Sequence, residues 1–372
     1  MKNIFGVVSI NRKGSDQFNG RTFEDRCVRD GEAAQESLKE LAKKGLKQEG
    51  FDENTALPVD QSKIREEIRC QKITEDEKSK LESQIEEIVN KYNENRNDGE
   101  QIKEESLIQS IEVEENTVYA SVDGIQVHKQ KEERKEGSTR DKRFIENYVV
   151  YVKSIEGTYR FVTDNLMNAL IILLGYLFLN NLLNNRNLIF FTDGAKNIKN
   201  GINQYFGFRE FTIYLDWFHI IKRSNESFSM ALKGGKANIE ANRELKREFA
   251  HRLWPGNIDD CIDFLNNIDK DRIKNQQMLD SIKDYLNNRR SEIGCFALRK
   301  KLGLLNSSNR VEQSNQLLVA RREKNQGMSW SKQGSLALAS LIALMSNKEH
   351  KDWLRKGSIN FTPVPPVTAK AA

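Results

Sequence analysis

The sequence predicts an α/β protein: a mixed five-stranded sheet flanked by helices, with an all-α insertion and a mostly helical N-terminal region. Three observations predict it. Residues 117–215 hold five short segments rich in β-branched and aromatic residues, set apart by polar or glycine-bearing turns. Apolar residues at helical spacing lie between the later segments and dominate after residue 220. Two of the five segments, 117–124 and 187–194, end alike, each delivering an Asp and then a Gly after an apolar run.

In chain order, residues 32–46 and 73–92 read as amphipathic helices, the second resembling a solvated or coiled one. Residues 117–122 read as the first strand. The span 129–143 is dense in charge and reads as a mobile loop. Residues 147–152 (NYVVYV) and 158–162 (TYRFV) give two more strands, with Glu156-Gly157 as a hairpin turn. Asp164 is placed to cap the next helix, 165 to about 183, which is apolar around most of its circumference. The unbroken apolar run 188–192 reads as a fourth strand buried on both faces. A short helix follows from Lys196 to about Tyr205, stopped by Gly207, and 211–215 is a fifth strand ending at Asp216. From Ile220 to Leu305 the periodicity is helical throughout, broken by Trp254-Pro255-Gly256 and polar turns. That block is either an insertion or a second, all-α domain. Three strands, helix, strand, helix, strand is the element order of a ribonuclease H-like core. In that fold the first and fourth strands lie side by side and carry the first two catalytic acids; here they carry Asp123 and Asp193.

With 372 residues, the chain has room for more than one domain, or for one enlarged by an insertion. Residues 1–116 carry 19 Lys+Arg against 27 Asp+Glu, a net of −8, whereas 117–372 carry 40 against 27, a net of +13. A basic body with a few acids at strand ends suits an enzyme that handles phosphodiesters, although surface solubility alone also uses Lys and Arg. The four cysteines, Cys27, Cys70, Cys261 and Cys295, have no paired spacing, which argues against a disulfide framework or a zinc site. Residues 170–179 are strongly apolar but too short to span a bilayer. With no basic-then-apolar leader, the expected location is the cytoplasm, in association with the nucleoid.

A carboxylate is costly to bury, so an Asp closing a core-like strand has either a turn to make or a ligand to hold. Two such acids at one sheet edge would suit Mg²⁺ held against phosphate. The segment 306–315 (NSSNRVEQSN), followed by VARREKNQGMSW from Val319, supplies a third acid. Ser307, Ser308 and Asn309 are N-cap residues, so Glu312 falls in the first helical turn, a position that the helix dipole also favours without any catalytic role. Positions 312, 315, 319 and 322 would share one helical face, presenting a carboxylate, an amide and a guanidinium together. Arg321, Arg322 and Lys324 are the candidate phosphate-binding groups. Asp216 and His219 form an Asp-x-x-His pair after the fifth strand, either auxiliary to the site or a helix cap beside core Trp217 and Phe218. His128, His251 and His350 lack partners at useful spacing and read as surface residues. Trp330 reads as packing or as a base-stacking platform.

The series SVDG, FTDGA, LDWFH and NSSNRVEQSN…VARREKNQGMSWS…GS resembles bacterial insertion-sequence transposases of the Mutator-like branch of the DDE superfamily. It covers residues 117–350, about two-thirds of the chain. The resemblance implies a ribonuclease H-like catalytic core, an α-helical insertion before the Glu-bearing helix, and a catalytic triad of Asp123, Asp193 and Glu312. It implies two Mg²⁺ ions (Mn²⁺ as substitute) held by those three acids, with cutting at element ends followed by strand transfer to target DNA. It also implies terminal-repeat and target DNA as partners, no membrane, and at least a dimer on DNA. The implied segments are an N-terminal region 1–116 for end binding or oligomerisation, a core 117–222, an insertion 223–305, the Glu helix 306–350, and a disordered tail 351–372 containing Pro363, Pro365 and Pro366. Two other readings stay open: a ribonuclease H-like nuclease that does not join strands, and a silent DNA-binding descendant of a transposase. Should Glu312 not be the third acid, Glu292 is next in line.

Overall fold

Asn187–Thr192 is buried at every residue, so both its faces and both its edges need partners, which makes it an interior strand. The computed structural model supplies them. It describes residues 20–104, 114–131, 143–324 and 328–366, and all that follows concerns these. In chain order the elements are α1 (Gly20–Gln48), α2 (Glu75–Asn93), β1 (Thr117–His128), β2 (Phe144–Ser154), β3 (Gly157–Thr163), α3 (Leu166–Leu179), β4 (Asn187–Thr192), α4 (Lys196–Phe206) and β5 (Thr212–Leu215). They continue with α5 (Trp217–Ala231), α6 (Ile239–Leu253), α7 (Ile258–Asn266), α8 (Gln276–Asn288), α9 (Phe296–Lys301), α10 (Asn309–Asn315), α11 (Lys332–Ser346) and α12 (His350–Lys356). The sheet order is β3-β2-β1-β4-β5. β1 and β5 run parallel to β4, and β2 runs antiparallel to β3. The expected mixed five-stranded α/β sheet flanked by helices is therefore present. No helix among the described residues is long and apolar enough to cross a membrane.

The chain divides into two units: everything described up to Ile64 with Val122–Leu182 and the part from Arg310 onward, and Arg65–Ser121 with Leu183–Asn309. In the first, α3 is apolar all round because it is enclosed, with Leu170, Leu173, Leu174 and Leu177 fully buried. The apolar stripe Ala34, Leu38, Ala42 and Leu46 of α1 is buried as well. α1 and α3 touch backbone to backbone: a Cβ on Gly175 would lie 2.4 Å from the Ala42 carbonyl oxygen, and one on Gly45 2.3 Å from the Gly175 carbonyl oxygen. On β1 and β2, Ile125, Val127, Val149 and Tyr151 pack with Val311, Leu318 and Val319 and with Ala339, Ile342 and Ala343 of α11.

In the second unit, α5 to α9 enclose a core around Phe228, Phe249 and Phe296. No extended strand interrupts them among the described residues, as the periodicity predicts. Tyr119, Ile189, Phe191 and Tyr214 form one aromatic and aliphatic face of β1, β4 and β5, with the Arg299 guanidinium 4.2 Å over the Tyr214 ring.

Several local expectations need correction. β1 does not end at Asp123-Gly124 but runs on to His128. Its register with β4 stops at Ser121↔Phe191, and beyond that point burial of Ile125 and Val127 keeps it extended. The β2–β3 turn is Ile155-Glu156, since Ser154 pairs with Gly157. Asn165 caps α3 by accepting from the Asn168 N–H at 2.8 Å, while Asp164 accepts from the side-chain amides of Asn165 and Asn168. The helix stops at Leu179, short of residue 183, and Asn181 takes a left-handed φ of 53°. The segment after residue 350 is not a featureless tail. It forms α12, after which Glu349 Oε1 accepts the Asn360 and Phe361 N–H groups at 2.9 and 2.7 Å. Phe361 meets the stacked rings of Tyr159 and Tyr176 edge-on, and Val364 pairs with Thr158 at the β3 edge. The charge-dense loop and the last part of the tail lie in 132–142 and 367–372, outside the described residues.

Candidate functional site

Asp123 is half-buried within β1, two residues past Ser121. Alternation along the strand puts it on the face of Ile125 and Val127, against which α10 and the turn after it dock through Val311, Leu318 and Val319. That docking brings Asn315 to Asp123: Asn315 Nδ2 donates to Asp123 Oδ2 at 2.5 Å. Asn315 is buried, and Glu312 stands half-buried one turn earlier on the same helical face. Within this unit, then, the carboxylate and amide predicted to share a face do so, and the amide holds Asp123.

The helix does not run on unbroken toward Arg322, as that spacing assumes. After Asn315 the helix continues through a π turn, Gln316–Ala320, before Arg321–Glu323. The i→i+5 bonding takes up one extra residue, which rotates every later side chain by about 100° relative to an uninterrupted α-helix. Leu318, Val319, Ala320 and Glu323 turn inward, and Arg321, Arg322 and Lys324 are exposed. Trp330 packs: its indole N–H donates to the Glu323 carbonyl at 3.1 Å, and its backbone N–H to the His128 carbonyl at 2.8 Å.

Asp193 lies just past β4, two residues beyond Phe191, and is exposed. Its Oδ1 accepts the Ala195 N–H at 2.8 Å, an Asx turn that aims the second carboxylate oxygen outward. Gly194 has φ +85°, the left-handed region that favours glycine. The Gly194 carbonyl accepts from Arg289 Nη2 at 2.6 Å. Arg289 in turn donates to Glu292 at 2.7 Å, and Lys199 Nζ donates to the other Glu292 oxygen at 2.5 Å. Glu292, 2 % exposed, is thus enclosed by two cations and serves to hold Arg289 against the Asp193 loop. No motif marks Arg289 in the sequence, because its partners are 3 and about 95 positions away.

Asp216 is buried and caps α5, its Oδ1 accepting the His219 N–H at 3.1 Å. Its Oδ2 accepts both the N–H and the hydroxyl of Ser308, at 2.5 and 2.9 Å, just before α10 begins. Both oxygens are therefore committed to chain geometry. Trp217 packs against Trp254 and Phe296, as a core residue would. Phe218 does not: it is 58 % exposed and meets only the edge of the neighbouring His219 ring among the described aromatic contacts. Of the other histidines, His128 and His251 are exposed, and His350 is half-buried.

Asp123, Asp193 and Glu312 offer hard oxygen donors at exposed or half-exposed positions, the donor chemistry Mg²⁺ prefers. Among the described residues, however, no three His, Cys, Asp or Glu side chains stand close enough to form a ready-made metal cluster. No protein-family model, curated protein or solved structure matches the chain.

Proposed function

We propose that this protein is a DDE-type transposase with a ribonuclease H-like core, acting on DNA phosphodiesters with Asp123, Asp193 and Glu312 as its acidic set. The observation that carries the reading is the Asn315–Asp123 hydrogen bond, which holds the Glu312-bearing helix against the strand of the first acid. The β1–β4 register supports it, since each Asp stands two residues past the last pair, Ser121↔Phe191. The basic composition of residues 117–372 supports a polyanionic partner.

Bound divalent ions would activate a water or 3′-hydroxyl and stabilise the leaving oxygen. The chain's own groups orient the set. Asn315 holds Asp123 through one carboxylate oxygen, the Asx turn directs Asp193, and Asp216 ties Ser308 in front of the Glu312 helix. Arg321, Arg322 and Lys324 supply exposed positive charge for the DNA backbone.

The test uses duplex DNA carrying the sequences that flank the reading frame, incubated with the protein and Mg²⁺ and resolved on denaturing gels. Nicked and strand-joined products are expected. Asp123→Asn, Asp193→Asn and Glu312→Gln should each abolish both products while DNA binding persists. Hydrolysis without joining would reduce the reading to a nuclease, and cleavage indifferent to all three substitutions would overturn it.

A further inference from the structure

Away from the acids, the second unit contains a pocket of about 640 Å³ lined by Tyr92, Arg96, Trp217, His251, Trp254 and Lys300, among others. Its size falls within the roughly 300–1,000 Å³ typical of small-ligand sites. Its composition is the informative feature. Three half-buried aromatic rings provide the walls, and the exposed cations Arg96, Lys300 and Lys301 surround them.

The aromatic wall is rigid. Trp254 lies nearly parallel to Phe296, centroids 5.9 Å apart, and meets Trp217 edge-on at 4.7 Å. Phe296 is fully buried, and its neighbour Ala297 donates its N–H to the Trp254 carbonyl at 3.1 Å. The cations are poised over rings: Arg96 sits 4.0 Å from the Tyr92 centroid and Lys300 Nζ 5.8 Å from that of Trp254. Glu100 lies 3.4 Å from Nδ1 of His251, a residue that also lines the pocket. An aromatic platform with a rim of positive charge matches the two faces of a nucleotide in a single strand, a flat base and an anionic phosphate.

We propose that this pocket binds a segment of single-stranded nucleic acid, seating one base at Trp254 and flanking phosphates at Arg96, Lys300 and Lys301. Such a site goes beyond the proposed cleavage chemistry and does not require it. A strand separated from its complement would be held by the helical unit, with Trp217 placing the pocket one residue from Asp216.

The test measures binding of a fluorescently labelled oligothymidylate, which forms no duplex of its own, by anisotropy in EDTA so that no metal-dependent step contributes. The wild-type chain should bind it, and unlabelled polyglutamate should compete poorly. Trp254→Leu should weaken binding about 10-fold through lost stacking, whereas Trp254→Phe should retain most of it. The surface double substitution Lys300→Ala with Lys301→Ala should also weaken binding and lower the slope of log affinity against log salt by about 1.4. If Trp254→Leu fails to fold, the lysine pair and Trp254→Phe decide. Unchanged affinity and salt slope in the lysine variant, or equal displacement by polyglutamate, would overturn the proposal. Either outcome leaves the cleavage assay unaffected.

Discussion

Ser308 gives both its backbone N–H and its hydroxyl to one oxygen of Asp216, while the other oxygen caps α5 at His219. One buried carboxylate therefore orders the start of α5 and the residue that precedes α10. Replacing it with Ala removes a helix cap and strands a buried N–H. Asp216→Ala should cost about 3 kcal/mol, read as a lower urea midpoint, and Asp216→Asn distinctly less, because the amide oxygen still caps α5.

Asn315 supports Asp123 without being an acid itself. Partners of this kind behind a ligand are typically worth about 10–100-fold in metal affinity or activity. Asn315→Ala should lower Mn²⁺ affinity by that order in calorimetric titration.

Glu323 is fully buried, accepts from the Ser335 hydroxyl, and has no hydrogen-bond partner for Oε1. Ser335 also accepts from the buried Asn147 amide at 2.6 Å. Burial pushes the Glu323 carboxyl up to about 8, opposed by the Ser335 bond. Its folded value thus lies above its unfolded one, so the neutral acid favours the fold. That contribution is complete below the ordinary carboxylate range of about 4.5 and is lost as pH rises toward 8. Urea melts should show this loss as a slope on the order of 1 kcal/mol per pH unit between pH 5 and 8. Glu323→Gln, neutral throughout, should flatten that slope.

Gly175 carries opposing effects. Ala in mid-helix gains about 1 kcal/mol in propensity, but here its Cβ would stand 2.4 Å from the Ala42 carbonyl oxygen. The backbones of α1 and α3 would have to separate, and overpacking typically costs about 1–3 kcal/mol. Gly175→Ala should therefore lower the melting temperature, whereas Gly234→Ala, with open space around it, should not.

Much of the fold was legible because alternation and helical spacing state which residues face inward. The apolar run of β4 demanded an interior place, the periodicity after residue 220 demanded helices, and Asn315 fell one turn from Glu312 on a common face. The helical N-terminal stretches were equally visible, although the first begins earlier, at Gly20. What periodicity cannot encode is a partner far along the chain. Whether Asp123 ends a strand or sits within one depends on the helical cover over Ile125 and Val127. Whether Asp216 is free or committed depends on Ser308, 92 residues away.

The sequence by itself determined the kinds of element, their order, and the acids that stand at the ends of apolar runs, since these follow from local sterics and the burial of apolar surface. The tertiary structure alone decided which polar groups are consumed in holding it together. The π turn at 316–320, the clamp of Glu292 and Arg289 on Gly194, and the docking of Phe361 edge-on against the stacked Tyr159 and Tyr176 all arise that way. In each, a buried donor, acceptor or ring must find its counterpart in three dimensions, and the free energy of leaving it unmatched exceeds any local preference.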